Sequence, residues 1–223
     1  MWGRPPGETV ARRAMRAPAT RSRAEAASRA GIGRERRATI GTVPCAGVLV
    51  TGGGSRRMGV DKATLVVSGE TLAAGAARVL RAVCDPAVEA GPGVSGLRAV
   101  REDPPGSGPL AGFLAAVEAF GLQGPVVLLA CDLPRLTEDA LRLVAQWPGA
   151  ASVVPTIGGR AQHACARYSQ EAIVYARRSG KTSLRALLTA DTVYLDERAW
   201  GHVATAETFA DVDTPDDLAS LGP

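Results

Sequence analysis

The chain predicts a three-layer α/β/α, Rossmann-like architecture with a mostly parallel central sheet, on three observations. Short apolar runs of strand character alternate with segments of helical periodicity, the pattern of a sheet packed between helices. Val126 to Cys131 (VVLLAC) is apolar at nearly every position, as in a strand covered on both faces. The first such run, Ala46 to Val50 (AGVLV), passes directly into a glycine-rich loop, and open α/β sheets gather their ligands beyond the carboxyl ends of strands.

The elements follow in order. Ala46 to Val50 reads as a buried parallel strand ended by glycines. From Gly69 to Val83, the residues Leu72, Ala76, Val79, Leu80 and Val83 make one inward helical face, with Thr71 placed to cap it. Asp85 to Ala90 is a short segment before the GPGVSG turn, and Leu97 to Val100 is a further strand. A helix starts near Gly108 or Pro109 and runs through LAGFLAAVEAF. After the VVLLAC strand, Thr137 caps the helix EDALRLVAQW, whose Leu141 and Val144 face inward. Ser152 to Ile157 and Ala164 to Tyr168 are expected strands, and Thr182 to Leu188 an expected helix. Val193 to Leu195 and Phe209 to Val212 are late strands before a terminal helix near Asp216 to Leu221.

Composition separates a leader from a body. At 223 residues, 46% hydrophobic and 22% charged, the chain can bury one substantial core, and residues 44–223 are expected to form a single domain. The formal charge of +4 is uneven: residues 1–37 hold ten arginines against three glutamates, whereas the remainder is mildly acidic. Residues 1–43, rich in Arg, Ala, Gly and Pro without apolar periodicity, are expected to be a disordered leader. Nucleic acid is not an expected partner, because no aromatic stacking residues are interleaved with these arginines after Trp2. No run approaches the ~18–20 apolar residues that span a bilayer. Cys45, Cys84, Cys131 and Cys165 are too far apart for a metal knuckle, and only His163 and His202 could add imidazole, so a zinc site is not expected. Free structural thiols fit a reducing, cytoplasmic location.

The chemistry concentrates in GGGSRRMGVDK, Gly52 to Lys62. Consecutive glycines can turn backbone N–H groups toward an anion, and Arg56, Arg57 and Lys62 can surround it with charge. Two common phosphate motifs fail here. Walker A needs a Lys-Ser/Thr pair after its last glycine, but Gly59 is followed by Val60, Asp61 and Lys62; a GxGxxG fingerprint would need glycine where Arg57 stands. A plain surface turn with a solvated basic edge is the competing reading.

Three carboxylates complete the candidate set. Asp132 follows the VVLLAC strand, where it either caps the next turn or coordinates magnesium. Asp213, in FADVDTPDDL, is a second candidate ligand, and Asp211 lies two residues away on the same strand face. Asp216 and Asp217 fit the N-terminus of the last helix better. Asp103, in REDPPGSGPLAG, forms an Asx turn or holds nucleotide or second substrate together with Gly108. His163 either satisfies a partly buried hydrogen bond or meets an acceptor phosphate.

Taken together, these segments resemble the molybdenum cofactor guanylyltransferase (molybdopterin-guanine dinucleotide biosynthesis protein A) family, within the small MobA-like nucleotidyltransferases. VTGGGSRRMGVDKA at 50–63 resembles its nucleotide loop, EDPPGSGPLAG at 102–112 its central loop and CDLPRL at 131–136 its metal-binding loop. QHACARY at 162–168 and DVDTPDDL at 211–218 resemble its downstream segments, so the likeness covers about 46–221. It departs at Asp211 and Asp213, where many guanylyltransferases of this branch have asparagines, at His163 in place of a common proline, and at Gly54 in place of a frequently charged residue.

The resemblance implies a nucleotidyltransferase fold and transfer of GMP from GTP to molybdopterin or the molybdenum cofactor, with pyrophosphate released. It implies nucleotide contacts from Val50, Thr51, Gly52, Gly53, Gly54, Lys62, Asp103 and Asp132, with Arg57, Lys62 and Asp132 as the catalytic groups. Magnesium is the implied cofactor, held by Asp132, with Asp213 as the second ligand candidate from its own segment rather than from the resemblance. Gly108, Arg160, Gln162 and His163 would border the acceptor, and a transient cofactor-delivery or acceptor protein is a conceivable partner. The alternatives are a cytidylyltransferase, another nucleotidyltransferase of phosphorylated metabolites, or a non-catalytic nucleotide- or nucleic-acid-binding regulator.

Overall fold

The computed structural model describes residues 45–52, 61–102, 104–219 and 221. The expected leader at 1–43 lies outside them, as do Gly53, Gly54, Arg56, Arg57 and Asp103. The described residues build one eight-stranded mixed sheet with helices on both faces, as the alternation of segments predicts.

At the centre of the sheet is β1 (Ala46–Val50), buried along its whole length. It pairs in parallel with β4 (Ala87–Ala90) on one side and β6 (Val126–Ala130) on the other. Beyond β4 lies β5 (Arg98–Val100), also parallel. On the far side β9 (Cys165–Tyr168) runs antiparallel to β6 and to β7 (Val153–Ile157), which carries β8 (Arg160–Ala161) as a hairpin and β10 (Val193–Leu195) in parallel. The strand order is therefore β10-β7-β9-β6-β1-β4-β5. From β1 the chain first moves outward to β4 and β5, then returns to place β6 on the opposite side of β1. That reversal opens a crevice beyond the carboxyl ends of β1 and β6.

Alternation along the central strands divides the core between two faces. Leu49, Val127 and Leu129 pack with α1 (Leu72–Val83) and α3 (Glu138–Ala145). Val48, Val50, Val126 and Leu128 pack with α2 (Pro109–Ala119) and α4 (Gln170–Ser179). Gly47 lets α1 approach β1 closely: a Cβ there would come within 2.7 Å of Leu80 and 2.9 Å of the Cys84 side chain. Threonine caps work as expected, Thr71 accepting from Ala74 N–H and Thr137 from Ala140 N–H. The four cysteines are free thiols, Cys45 and Cys84 having their sulfurs 3.8 Å apart at the amino end of β1.

Several expectations are corrected. Gly69 belongs to the turn of a small hairpin, β2 (Val66–Val67) with β3 (Glu70–Thr71), so α1 begins only at Leu72. The helix expected at 182–188 is a short 3₁₀ turn, Leu184–Leu187, and the longer helix of this region is α4, capped by the Ser169 hydroxyl. Phe209–Val212 is not a strand. Phe209 ends a 3₁₀ turn, Ala206–Phe209, and packs edge-on against Trp200 of α5 (Glu197–Trp200), while the Val212 N–H donates to the Asp132 carbonyl at 2.9 Å. The last helix, α6 (Pro215–Ala219), follows. Among the described residues no helix is long and apolar enough to cross a membrane.

One buried cation organises the loop between α3 and β7. Arg167 on β9 donates to the carbonyls of Ala145 (3.0 Å), Trp147 (2.6 Å), Gly149 (2.9 Å) and Ala151 (3.0 Å). The loop's carbonyls thus turn inward to one guanidinium.

Candidate active site

The crevice at the strand reversal holds a cavity of about 340 Å³. Val50, Thr51 and Gly52 form one wall, at the end of β1, and Asp132, two residues beyond β6, stands on another with Lys62. Pro109, at the start of α2, and Ala164, before β9, narrow the remaining sides. The backbone fixes these positions: Cys131 N–H donates to the Val50 carbonyl at 3.3 Å, joining the two strand ends.

Lys62 is positioned locally. The Asp61 carboxylate accepts from the Ala63 N–H at 3.1 Å and so caps the 3₁₀ turn Lys62–Thr64. The Lys62 ammonium then reaches across 151 residues of sequence to the Asp213 carboxylate, at 2.5 Å. Asp213 is held from its own side, because its N–H and that of Thr214 donate to the Asp217 carboxylate at 2.9 and 2.8 Å. The expected helix-terminal role of Asp217 is thus observed.

Asp132 is the electrostatic focus. Its Oδ1 is buried with no hydrogen-bond partner among the described residues. Burial pushes its carboxyl above the usual range; Lys62 draws it back, and the charges of Asp211 and Asp213 push it further up. A buried carboxylate oxygen left without a donor is suited to a cation that arrives from outside. Among the described residues no group of three His, Cys, Asp or Glu side chains could enclose a metal. Asp132, with the charge of Asp213 acting on it, has the donor chemistry that suits a hard ion such as magnesium, an ion that takes much of its shell from phosphate oxygens and water.

The structure thus brings together Val50, Thr51, Gly52, Lys62, Asp132 and Asp213. Gly53, Gly54, Arg57 and Asp103 lie outside the described residues. None of the four acceptor candidates lines the cavity, and only Gly108 and His163 are chain neighbours of residues that do. Gly108 caps α2 beside Pro109, and its carbonyl accepts from Gly112 N–H at 3.1 Å. Arg160 sits on the β8 hairpin, and its carbonyl accepts from the Gln162 side chain at 3.1 Å. His163 precedes the lining residue Ala164; its carbonyl accepts from the Tyr168 hydroxyl at 2.8 Å, and its buried Nδ1 has no partner among the described residues. Burial and then the Arg185 charge lower its pKa, so the ring is neutral at physiological pH.

Sequence reasoning passed over Glu89 and Glu102. Glu89 lies in the middle of β4, fully buried. Glu102 accepts from the Gly106 N–H at 2.9 Å, and its carboxylate stands beside Gly52 and Gly112. The available signal was a charge inside or just after an otherwise apolar strand run, AVEA and RAVRE.

Comparison with known proteins identifies the family and the fold. Residues 47–198 match the family model described as the MobA-like NTP transferase domain. A protein of Chloroflexus aggregans named "Probable molybdenum cofactor guanylyltransferase" is 31% identical over 191 residues, covering 77% of this chain and 90% of its own. A protein of the same name from Pelotomaculum thermopropionicum is 34% identical over 192 residues, covering 77% and 89%. Among solved structures, molybdopterin-guanine dinucleotide biosynthesis protein A from Archaeoglobus fulgidus superposes with a TM-score of 0.63 at 20% identity, over 79% of this chain and 96% of that one. At that identity the superposition speaks for the fold.

Proposed function

Since the chain belongs to the MobA-like NTP transferase family and is a nucleotidyltransferase by type, we propose that it transfers GMP from GTP to molybdopterin or the molybdenum cofactor and releases pyrophosphate. The observation that carries this reading is the buried Asp132 oxygen, without a hydrogen-bond partner among the described residues, beside Lys62 in the cavity where β1 and β6 end. The names borne by the relatives of Chloroflexus and Pelotomaculum supply the choice of nucleotide and acceptor.

In this reading, an ionised phosphate oxygen of the acceptor attacks the α-phosphorus of the nucleotide. The new P–O bond forms as the bond to the bridging oxygen breaks, and pyrophosphate carries away the electron pair. No general base is required, because the nucleophile is already an anion; positioning and charge dominate. Val50, Thr51 and Gly52 contribute a backbone wall that limits how the nucleotide can lie. Lys62 exchanges its Asp213 partner for phosphate oxygens, which frees Asp213 for a second role. Asp132 and Asp213 would hold magnesium, whose chemistry is to neutralise phosphate charge and stabilise the leaving group. Neutral His163, with Arg160 and Gln162, would border the acceptor side.

The test is turnover of the full chain with molybdopterin and either GTP or CTP, read as pyrophosphate release and as the dinucleotide product. GTP-dependent, molybdopterin-dependent release is expected, and strict dependence on CTP would overturn the nucleotide assignment. In the same assay Lys62→Met is expected to lower kcat/KM about 10- to 100-fold, the worth of one charge-assisted contact to phosphate. Unchanged kinetics would remove Lys62 from the nucleotide site.

A further inference from the structure

We propose that Glu89 is a positioning residue for the nucleotide: through Thr51 it sets the place of the Thr51–Gly52 backbone, the wall of the cavity from which the glycine loop departs. The proposal rests on the nucleotide-binding reading of that cavity and adds to it a residue that does not line the cavity.

Glu89 sits at the centre of β4, opposite Leu49 of β1, with no side-chain exposure. A carboxylate so placed is tolerated only when donors replace its water. Five neutral donors do so. Oε1 accepts from the Thr51 hydroxyl at 2.5 Å and from the N–H groups of Gly93 (2.8 Å) and Val94 (3.1 Å). Oε2 accepts from the N–H and hydroxyl of Ser95, at 2.9 and 2.5 Å. Burial alone would raise the carboxyl pKa, but the Ser95 and Thr51 hydroxyls and the turn N–H groups together bring it below the ordinary value, so it stays ionised.

These bonds have a geometric result at the cavity. The Thr51 hydroxyl is committed to Glu89, while the N–H groups of Thr51 and Gly52 both donate to the Ala90 carbonyl, at 3.1 and 3.4 Å. Gly91 makes room for this arrangement, since a Cβ there would lie 2.0 Å from the Thr51 hydroxyl oxygen. Gly52, the next residue and part of the cavity wall, is in turn packed on Gly91: a Cβ on Gly52 would meet the Gly91 Cα at 3.7 Å. One carboxylate therefore locks the end of β1 to the turn after β4. A glutamate needed only to close the 91–95 turn would have no use for Thr51.

That difference supplies the test. Thr51→Val preserves shape and β-branching and removes the donor, leaving the four turn bonds intact. It is expected to raise the GTP KM about five- to tenfold with kcat within twofold, and Thr51→Ser should restore the wild-type value. Ser95→Ala, which weakens the turn but spares Thr51, should lower Tm and move KM less than twofold. Glu89→Met, which keeps the length of the side chain and removes both acceptor oxygens, should raise KM at least as much as Thr51→Val, and adding Thr51→Val to it should produce no further rise, because the contact is already gone. If Glu89→Met does not fold, the Val and Ser exchanges at position 51 decide the matter alone. A Thr51→Val enzyme with wild-type KM overturns this proposal and leaves the nucleotide site standing. A wild-type protein that neither binds nor turns over GTP or CTP overturns both.

Discussion

Asp132→Asn is expected to slow turnover by about a hundred- to a thousandfold, the scale of losing one preorganised electrostatic group at a reacting phosphate, while the protein remains folded. Asparagine keeps the shape of the side chain but is neutral and offers a cation one amide oxygen in place of a carboxylate. Its effect on stability has the opposite sign. Burial, with Asp211 and Asp213 adding to it against the pull of Lys62, raises the Asp132 pKa in the folded protein. The folded state then binds more protons than the unfolded chain between the two pKa values, so this group's contribution is full below the unfolded pKa and is lost as pH rises through the folded one. At neutral pH the ionised side chain is a cost that asparagine removes. Without ligands, the variant should melt at or above the wild-type temperature at pH 7–8, and the gap should close near about pH 4. A variant with unchanged turnover and unchanged magnesium dependence would remove Asp132 from the site.

Arg167→Met should be the most damaging change far from the cavity, at about 3–5 kcal/mol of folding stability, or roughly 10 °C in Tm. Methionine can fill much of the volume, but the carbonyls of Ala145, Trp147, Gly149 and Ala151 lose their common donor. Arg167→Lys should recover only part of the loss, because an ammonium lacks the planar fork that reaches all four. Denaturant midpoints with unchanged m-values measure both effects; a Met variant within about 1 kcal/mol of wild type would show that the loop recruits water instead.

The legible parts of the molecule were those written locally. β1 and β6 announce themselves as apolar runs, and Thr71 and Thr137 as caps, because burial and capping each leave a mark within a few residues. Direction and partnership leave none. Cys165–Tyr168 reads as a strand, but nothing in its period tells that it runs against β6 and β7. Val212 belongs to an apolar run and yet spends its N–H on the Asp132 carbonyl rather than on a neighbouring strand. α4 was overlooked because its buried face is narrow, only Ala172, Ile173 and Ala176 amid charged residues. For the site, the ends of β1 and β6 were predictable positions, family resemblance joined Lys62 to Asp132, and Asp213 stood out as a carboxylate at the end of a short apolar segment. The buried hydrogen bonds of Glu89 and Arg167 depend on distances across the fold, which no spacing encodes.

The two ends of the sheet bear on how the protein behaves when concentrated. On the path from β10 to β5, each terminal strand is only three residues long. β5 carries Arg98 and leads into Arg101, and β10 lies between Asp191 and Asp196. Few backbone groups are left open for another chain to zip onto, and charge stands beside them. A sheet this apolar at its centre is thereby guarded at its margins against fibrillar self-association.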